Sequence, residues 1–204
     1  MKTLIVYYSL FGHVYQLARA VEEGAKSVAG VDVRLRRVAE FPEVEQATAG
    51  SQHAQQVRDQ QKDIPIVTLD DLRWADAVIF GSPTRYGNMA AQMKAFIDTT
   101  APLWSKGEME NKVGAAFTST ATTHGGQEST LLSMMNPMLH LGMIIMGVPY
   151  STPGMLHTDG RGSSPYGASV VAGGRGEIPP HPDDLEIGKA LGRRVAEAAK
   201  KLRG

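Results

Sequence analysis

Three segments rich in hydroxyl and glycine residues follow short apolar runs in this chain of 204 residues. They span residues 9–14, 82–88 and 118–126. Hydroxyl groups and the free backbone N–H groups of such turns bind phosphates and the polar edges of heteroaromatic rings. The segments therefore predict a binding site for a small phosphorylated ligand, provided that the fold brings them together.

Residues 9–14 run from a predicted strand directly into a predicted helix. A helix N-terminus presents unpaired N–H groups and a partial positive charge, which suits a phosphate held by neutral donors such as Ser9. The segment matches neither G-x-G-x-x-G nor G-x-x-x-x-G-K-[ST], which argues against a dinucleotide-binding fold and a nucleotide triphosphatase. A monophosphate ligand remains, and a plain tight turn is the alternative.

The other two segments add groups suited to a ring. Pro83 and Gly87 predict a turn that leaves the backbone donors of residues 84–86 free to meet a heteroaromatic edge. Arg85 could stabilise electron density arriving on a reduced ring, or form a salt bridge at the surface or at an interface. Residues 118–126 have no long side chain before His124, which suits close approach to a ribityl chain and ring, although a Ser/Thr-rich surface turn has the same composition.

The elements that position these segments alternate between strands and helices. Helical spacing covers residues 14–29, 89–98, 126–140 and 183–202, and brief β-branched or aromatic runs are typical of strands at Leu4–Tyr8, Val31–Val38, Ala77–Phe80, Val113–Phe117 and Met143–Val148. This alternation predicts parallel pairing. Residues 31–36 alternate apolar and charged side chains, which indicates a strand at the sheet edge.

These patterns predict an α/β fold: a flavodoxin-like, doubly wound, five-stranded parallel sheet with strand order 2-1-3-4-5. In such sheets the ligand lies beyond the carboxyl ends of the strands, where the strand order reverses. That point falls between the first and third strands, so the three segments are expected to converge there.

Two stretches do not fit the alternation. Residues 42–65 are polar and glutamine-rich, and we interpret them as an excursion with one exposed helix, away from the site. Residues 149–182 contain seven glycines and six prolines and are predicted to form a long ordered loop or assembly arm before the C-terminal helix. With no repeat or linker in evidence, residues 1–204 are assigned to a single flavodoxin-like domain.

Composition excludes several classes of protein. Lysine plus arginine and aspartate plus glutamate both number 21, so the formal net charge is zero; this argues against nucleic-acid binding, which needs a basic excess. The absence of cysteine excludes disulfides, thiolate nucleophiles and iron–sulfur ligation. No two histidines are three or four residues apart, the spacing that a metal site on a helix needs. Any redox chemistry therefore needs an organic cofactor. No segment is long and apolar enough to span a membrane, and we expect a soluble cytoplasmic protein.

The sequence resembles the WrbA-type NAD(P)H:quinone oxidoreductases, which are flavodoxin-like FMN proteins. The resemblance covers nearly the whole chain, and its most specific motif is Gly81–Met89. Supporting motifs are Tyr7-Tyr8-Ser9, Phe11-Gly12-His13, Gly125-Gly126-Gln127-Glu128 and Pro165-Tyr166-Gly167-Ala168.

The resemblance implies non-covalently bound FMN and assigns its neighbours. The phosphate would lie at Ser9, Leu10, Phe11, Gly12, His13 and Val14. The flavin ring would meet the turn formed by Pro83, Thr84, Arg85, Tyr86, Gly87 and Asn88. The ring and the ribityl chain would be held by Ser119, Thr120, Ala121, Thr122, Thr123 and His124.

It also implies substrate contacts and an assembly. Phe11 would lie on the path of the nicotinamide nucleotide, Trp104 would line the quinone pocket, and His140 would approach the flavin as the catalytic residue. For His140, a packed core position on a Met/Leu-rich helix is the alternative. The resemblance further implies a homotetramer whose sites are completed by neighbouring subunits.

The implied activity is ping-pong, two-electron reduction of quinones by NADH or NADPH. The absence of an evident basic cluster for a 2′-phosphate favours NADH. A one-electron flavodoxin-type carrier is an alternative, although the neutral charge balance argues against its acidic docking face. A non-enzymatic flavin-binding scaffold is the second alternative function.

Overall fold

The computed structural model describes residues 1–203, in which a mainly parallel sheet is flanked by helices. The strands are β1 (Lys2–Tyr7), β2 (Asp32–Arg37), β3 (Ala77–Arg85), β4 (Asn88–Met89), β5 (Val113–Thr120), β6 (Ile144–Ile145) and β7 (Ala168–Val171). The helices are α1 (His13–Lys26), α2 (Pro42–Ala47), α3 (Gln52–Gln61), α4 (Leu69–Trp74), α5 (Ala91–Asp98), α6 (Ala101–Trp104), α7 (Gln127–His140) and α8 (Pro182–Arg203). None of the helices within this range has the length and apolar character needed to cross a membrane.

The predicted flavodoxin-like fold class is confirmed, with a correction to the strands. The sheet order is β2-β1-β3-β5-β6, so the five predicted runs lie in the predicted order, with β2 at the edge. The predicted number of strands, five, is wrong, however, because residues 1–203 form a sheet of seven strands. The additional strands are β4, which pairs antiparallel with β3, and β7, which pairs with β5.

The fifth position of the sheet is shared by two short strands, whereas one strand over 143–148 was expected. Strand β6 pairs with the start of β5 at Val113–Gly114, and β7 pairs with its end, from Phe117 to Thr120. Between β6 and β7 the chain leaves the sheet and returns as a loop. The base of this loop is closed by a hydrogen bond in which the Val148 N–H donates to the Pro165 carbonyl at 3.1 Å. The predicted long loop therefore contributes a strand of its own.

Alternating side chains of the strands bury both faces of the sheet. On one face, Leu4, Val6, Val78 and Phe80 pack with methionines of α5 and α7. On the other, strand residues such as Ile5, Ile79 and Phe117 pack against α1 and α8. Because helices cover both faces of the sheet, the sequences of its central strands are continuously apolar.

Helices α1 and α8 touch through their backbones at two glycines. A Cβ atom on Gly24 would lie 1.9 Å from the Lys189 carbonyl oxygen, and one on Gly192 would lie 2.0 Å from the Val21 carbonyl oxygen. Rigid backbone atoms cannot move aside as a side chain can. These glycines therefore set the distance between α1 and α8, and with it the position of the start of α1.

We predict that Gly192→Ala destabilises the protein by about 2 kcal/mol, because overpacking against backbone outweighs the gain in helix propensity of about 1 kcal/mol. Gly188→Ala is the matched control on the same helix, since the nearest atoms to its new Cβ belong to side chains, Leu17 Cδ1 at 2.6 Å and Ala20 Cβ at 3.5 Å, and not to backbone. Denaturant unfolding of both variants measures the difference. Equal stabilities would contradict this account of the helix contact.

The amino end of α8 carries a buried carboxyl group against the 149–182 loop. Asp184 is 2% exposed, and its Oδ1 makes no hydrogen bond to any described residue. Burial raises the pKa of Asp184 to about 6, although His157, His181 and the Gly162 backbone N–H favour the charged form. The folded protein therefore holds this proton more tightly than the unfolded chain, and the group's contribution to stability is lost as the pH rises through about 6.

We predict that Asp184→Asn stabilises the protein by about 1–2 kcal/mol at pH 7.5, because it removes a buried, poorly paired charge. The difference from the native chain should shrink as the pH falls from about 6 towards about 4, because over that range the folded protein binds the proton and the unfolded chain does not. Urea unfolding across pH 4–8 measures it. A constant difference across that range would show that the titration of Asp184 is not the cause.

Candidate functional site

The loop between β1 and α1 ends in a free helix N-terminus. Gly12 holds the N-cap at φ 94°, in the left-handed region that glycine adopts without strain, and no side chain caps the helix. The N–H groups of the first turn lack intrahelical acceptors. The first turn contains no acidic residue, so the helix end attracts an anion.

Ser9 stands beside these N–H groups. Its Oγ accepts a hydrogen bond from the Gly12 N–H at 3.2 Å, which leaves the hydroxyl hydrogen free to donate to an incoming oxygen. The combination of a hydroxyl donor and several backbone donors fits a phosphate, as the sequence predicted.

A buried polar network anchors the residue before Ser9. The Tyr8 hydroxyl donates to the Glu40 carboxylate at 2.6 Å, and Gln92 donates to both the Tyr8 hydroxyl at 3.0 Å and Glu40 at 2.6 Å. Burial and the Glu40 hydrogen bond raise the pKa of Tyr8 above the usual tyrosine range. Tyr8 therefore remains a neutral donor, and the start of the loop is held rigidly.

The 42–65 excursion lies against this loop, and the expectation that it lies away from the site is wrong. It forms two helices, α2 and α3, rather than one. The buried Gln61 donates from Nε2 to the Ser9 carbonyl at 3.2 Å, and Val57 lies beneath Gly12. His53 contacts the Phe11 carbonyl at 3.2 Å, with its ring parallel to that of Phe11. Helix α3 thus supports the loop from outside.

The second segment forms a β-hairpin. Strand β3 extends through Arg85, beyond the predicted end at Phe80, and turns at Tyr86 and Gly87, both with positive φ. The Thr84 hydroxyl accepts from the Gly87 N–H at 3.2 Å and from the Thr130 hydroxyl at 2.9 Å. These bonds close the hairpin and tie it to α7.

Only part of each predicted segment reaches the cleft. Pro83, Thr84 and Arg85 line it, whereas Tyr86, Gly87 and Asn88 form the hairpin turn, with Tyr86 fully exposed. Ser119, Thr120 and Ala121 line it as well. Thr122, Thr123 and His124 lead away towards α7, and the Thr120 hydroxyl turns the chain by donating to the Thr122 carbonyl at 2.8 Å.

A fourth wall, residues 172–176, was not predicted as part of the site. It follows β7, and the Ala172 N–H donates to the Thr120 carbonyl at 2.8 Å. The Ile178 carbonyl lies 2.9 Å from His13 Nε2, which ties this wall to the start of α1. The sequence signal for this wall was the β-branched pair Val170-Val171 followed by Ala-Gly-Gly-Arg-Gly. It was missed because the last strand was predicted at 143–148.

Together the four walls enclose a cleft of about 390 Å³, within the range of small-ligand pockets. Its lining contains no carboxylate: Ser9, Leu10, Phe11, His13, Val14, Pro83, Thr84, Arg85, Ser119, Thr120, Ala121, Ala172, Gly173, Gly174, Arg175 and Gly176. The hydrogen-bond donors suited to a phosphate lie beside further hydroxyl groups and beside apolar side chains such as Leu10 and Pro83. This donor set fits FMN, whose phosphate, ribityl chain and ring need those three environments.

Two further predicted site residues, His140 and Trp104, do not reach this cleft within the chain. His140 is the last residue of α7, a helix of 14 residues, so it lies roughly 20 Å from the start of that helix. Trp104 ends α6 and is 63% exposed. Neither lines the cleft.

Comparison with known proteins identifies the family of this chain. Residues 1–155 match the family described as NADPH-dependent FMN reductase. A relative from Geotalea daltonii, named NAD(P)H dehydrogenase (quinone), is 48% identical over 99% of this chain and 98% of its own length. A relative of the same name from Syntrophobacter fumaroxidans is 50% identical over 99% of this chain and 98% of its own.

A solved structure shows the same fold. The flavodoxin, WrbA-like protein from Agrobacterium tumefaciens superimposes with a TM-score of 0.64 at 24% identity, covering 98% of each chain. The resemblance seen in the sequence is thereby confirmed. The chain belongs to the NADPH-dependent FMN reductase family and groups with the proteins named NAD(P)H dehydrogenase (quinone).

Proposed function

We propose that this chain binds FMN in the cleft and reduces quinones by two electrons at the expense of NAD(P)H. The observation that carries the proposal is the carboxylate-free cleft at the carboxyl edge of the sheet, with a helix N-terminus, hydroxyls and Arg85 in its walls. Family membership and the names of the relatives support the same activity.

The chain's own groups hold the cofactor. The Ser9 hydroxyl and the first-turn N–H groups of α1 bind the phosphate, with the helix dipole adding roughly 0.3–1 kcal/mol. The Ser119 hydroxyl would bind the ribityl chain, whereas the Thr120 hydroxyl is engaged by the Thr122 carbonyl. FMN, when held by these groups, would supply the capacity for hydride transfer between NAD(P)H and a quinone.

Arg85 and Thr84 influence the electron density of the flavin ring. The Arg85 guanidinium donates to the Thr84 carbonyl at 2.9 Å and makes no ion pair with a carboxylate among residues 1–203. A cation held in this way favours electron density on the adjacent ring. The hairpin turn at Tyr86, Gly87 and Asn88 and the link formed by Thr122, Thr123 and His124 position these groups rather than contact the cofactor.

The substrates are bound at the mouth of the cleft. Phe11, whose ring is 44% exposed and held parallel to His53, offers a flat apolar wall to the nicotinamide or quinone ring. Trp104 and His140 act from a neighbouring subunit of a homotetramer. The large exposed fractions of Trp104 and of Leu139, beside His140, support such contacts between subunits. A cytoplasmic location completes the proposal, since the reduced nicotinamide nucleotides are held there.

The purified protein is predicted to bind FMN and to oxidise NADH or NADPH in the presence of benzoquinone. Initial rates at varied concentrations of both substrates should give the parallel reciprocal plots of a ping-pong reaction. Anaerobic NADH should bleach the bound flavin directly to its fully reduced state. A protein that binds FMN but shows no NAD(P)H oxidation would be a carrier or scaffold, and would contradict the proposed activity.

The contact between α3 and the loop that joins β1 to α1 gives a second prediction. Gln61→Met removes the donor to the Ser9 carbonyl while keeping the side-chain volume, and we expect the dissociation constant of FMN to rise by about fivefold, since one hydrogen bond contributes about 1 kcal/mol. Gln56→Ala, at an exposed position of the same helix, should leave FMN binding unchanged. Fluorescence titration of FMN measures both, and equal affinities would exclude a role for α3.

A further inference from the structure

We propose that Arg175 binds a phosphate group of a ligand in this cleft and makes the phosphorylated ligand preferred over its dephosphorylated analogue. The inference rests on the proposed function, because it takes the ligands to be a flavin and a nicotinamide nucleotide. The phosphate has two possible sources, the 5′-phosphate of FMN and the 2′-phosphate of NADPH, and the experiment below separates them.

The backbone around Arg175 lies over the start of α1. A Cβ on Gly176 would lie 3.4 Å from His13 Cε1, and the Ile178 carbonyl lies 2.9 Å from His13 Nε2. Arg175 itself shares the lining of the cleft with Ser9 and Val14. Arg175 therefore borders the same cleft as the start of α1, whose free N–H groups form the proposed phosphate site.

The loop that carries Arg175 is preformed. The Glu177 carboxylate accepts a hydrogen bond from the Arg175 backbone N–H at 2.7 Å, and it lies so close to Gly173 that a Cβ there would come within 2.5 Å of it. Backbone N–H groups hold the pKa of Glu177 below its usual range, so the carboxylate remains charged and keeps the loop folded. An arginine on a rigid loop loses less conformational entropy on binding than one on a mobile loop.

The charge of Arg175 is unmatched by any carboxylate side chain. Arg19, Arg73 and Arg161 each form an ion pair with aspartate or glutamate, whereas no residue within 1–203 forms one with Arg175. Glu177 is engaged by the backbone and does not line the cleft. A phosphate dianion is the ligand that an unpaired guanidinium beside a helix N-terminus binds best.

The same observation revises what the sequence indicated about the nicotinamide nucleotide. No basic cluster for a 2′-phosphate was evident along the chain, which favoured NADH. Arg85 and Arg175 are far apart in sequence but line one cleft. The structure therefore provides two cations, where the sequence pattern showed a single arginine in each of two unrelated loops.

The test compares Arg175→Gln and Arg175→Lys with Arg194→Gln, a matched change at an exposed arginine of α8 outside the cleft. Thermal unfolding first establishes that all variants fold equally. Dissociation constants of FMN and riboflavin are then measured by fluorescence. If the flavin phosphate is the ligand, Arg175→Gln should weaken FMN binding by about tenfold or more, the effect expected of a charge-assisted hydrogen bond, while riboflavin binding stays constant and Arg175→Lys retains most of the affinity.

The second arm measures kcat/KM for NADPH and NADH with saturating FMN. A selective fall for NADPH in Arg175→Gln, with FMN and NADH unaffected, assigns the 2′-phosphate as the ligand and equally supports the proposal. If Arg175→Gln behaves as Arg194→Gln in both arms, the proposal is overturned while the proposed function stands. If the unaltered protein binds neither flavin, the proposed function fails first, and the inference fails with it.

Discussion

Parallel pairing is the constraint on which the rest of this structure depends. Strands β1, β3, β5 and β7 run in the same direction in adjacent positions, so their carboxyl ends, and every loop that follows them, meet at one edge. Each return must cross the sheet as a helix, and α1 consequently starts at that edge with its N–H groups directed into the cleft. The binding site follows from the topology before any side chain is considered.

The chemistry of the cleft depends on which charges are absent from it. An aspartate or glutamate in the lining would repel a phosphate and compete for the N–H groups of α1. The nearby carboxylates are engaged elsewhere: Glu40 by Tyr8 and Gln92, and Glu177 by the backbone of its own loop. The charged side chains in the lining are those of Arg85 and Arg175, although the formal net charge of the whole chain is zero.

Two segments outside the simple alternation of strands and helices converge on the same loop. Helix α3 contacts the Ser9–Gly12 turn through Gln61 and Val57, and the chain after β7 reaches it through His13. Both segments are polar or rich in glycine and proline, and their sequence pattern contains little periodicity. Their positions are nevertheless defined by specific hydrogen bonds, so the loop between β1 and α1 is held from both sides.

The amino-acid sequence by itself determined the fold class, the edge position of β2 and the three donor-rich segments, because hydrophobic periodicity and turn composition are local properties. It also contained the motifs that identify the family. Only the tertiary structure decided that residues 172–176 form a wall of the cleft, that α3 supports the first loop, and that His140 and Trp104 lie outside the cleft of their own chain. Those facts depend on pairing between residues distant in sequence, such as Ala172 with Thr120 or Gln61 with Ser9, and no local pattern specifies such partners.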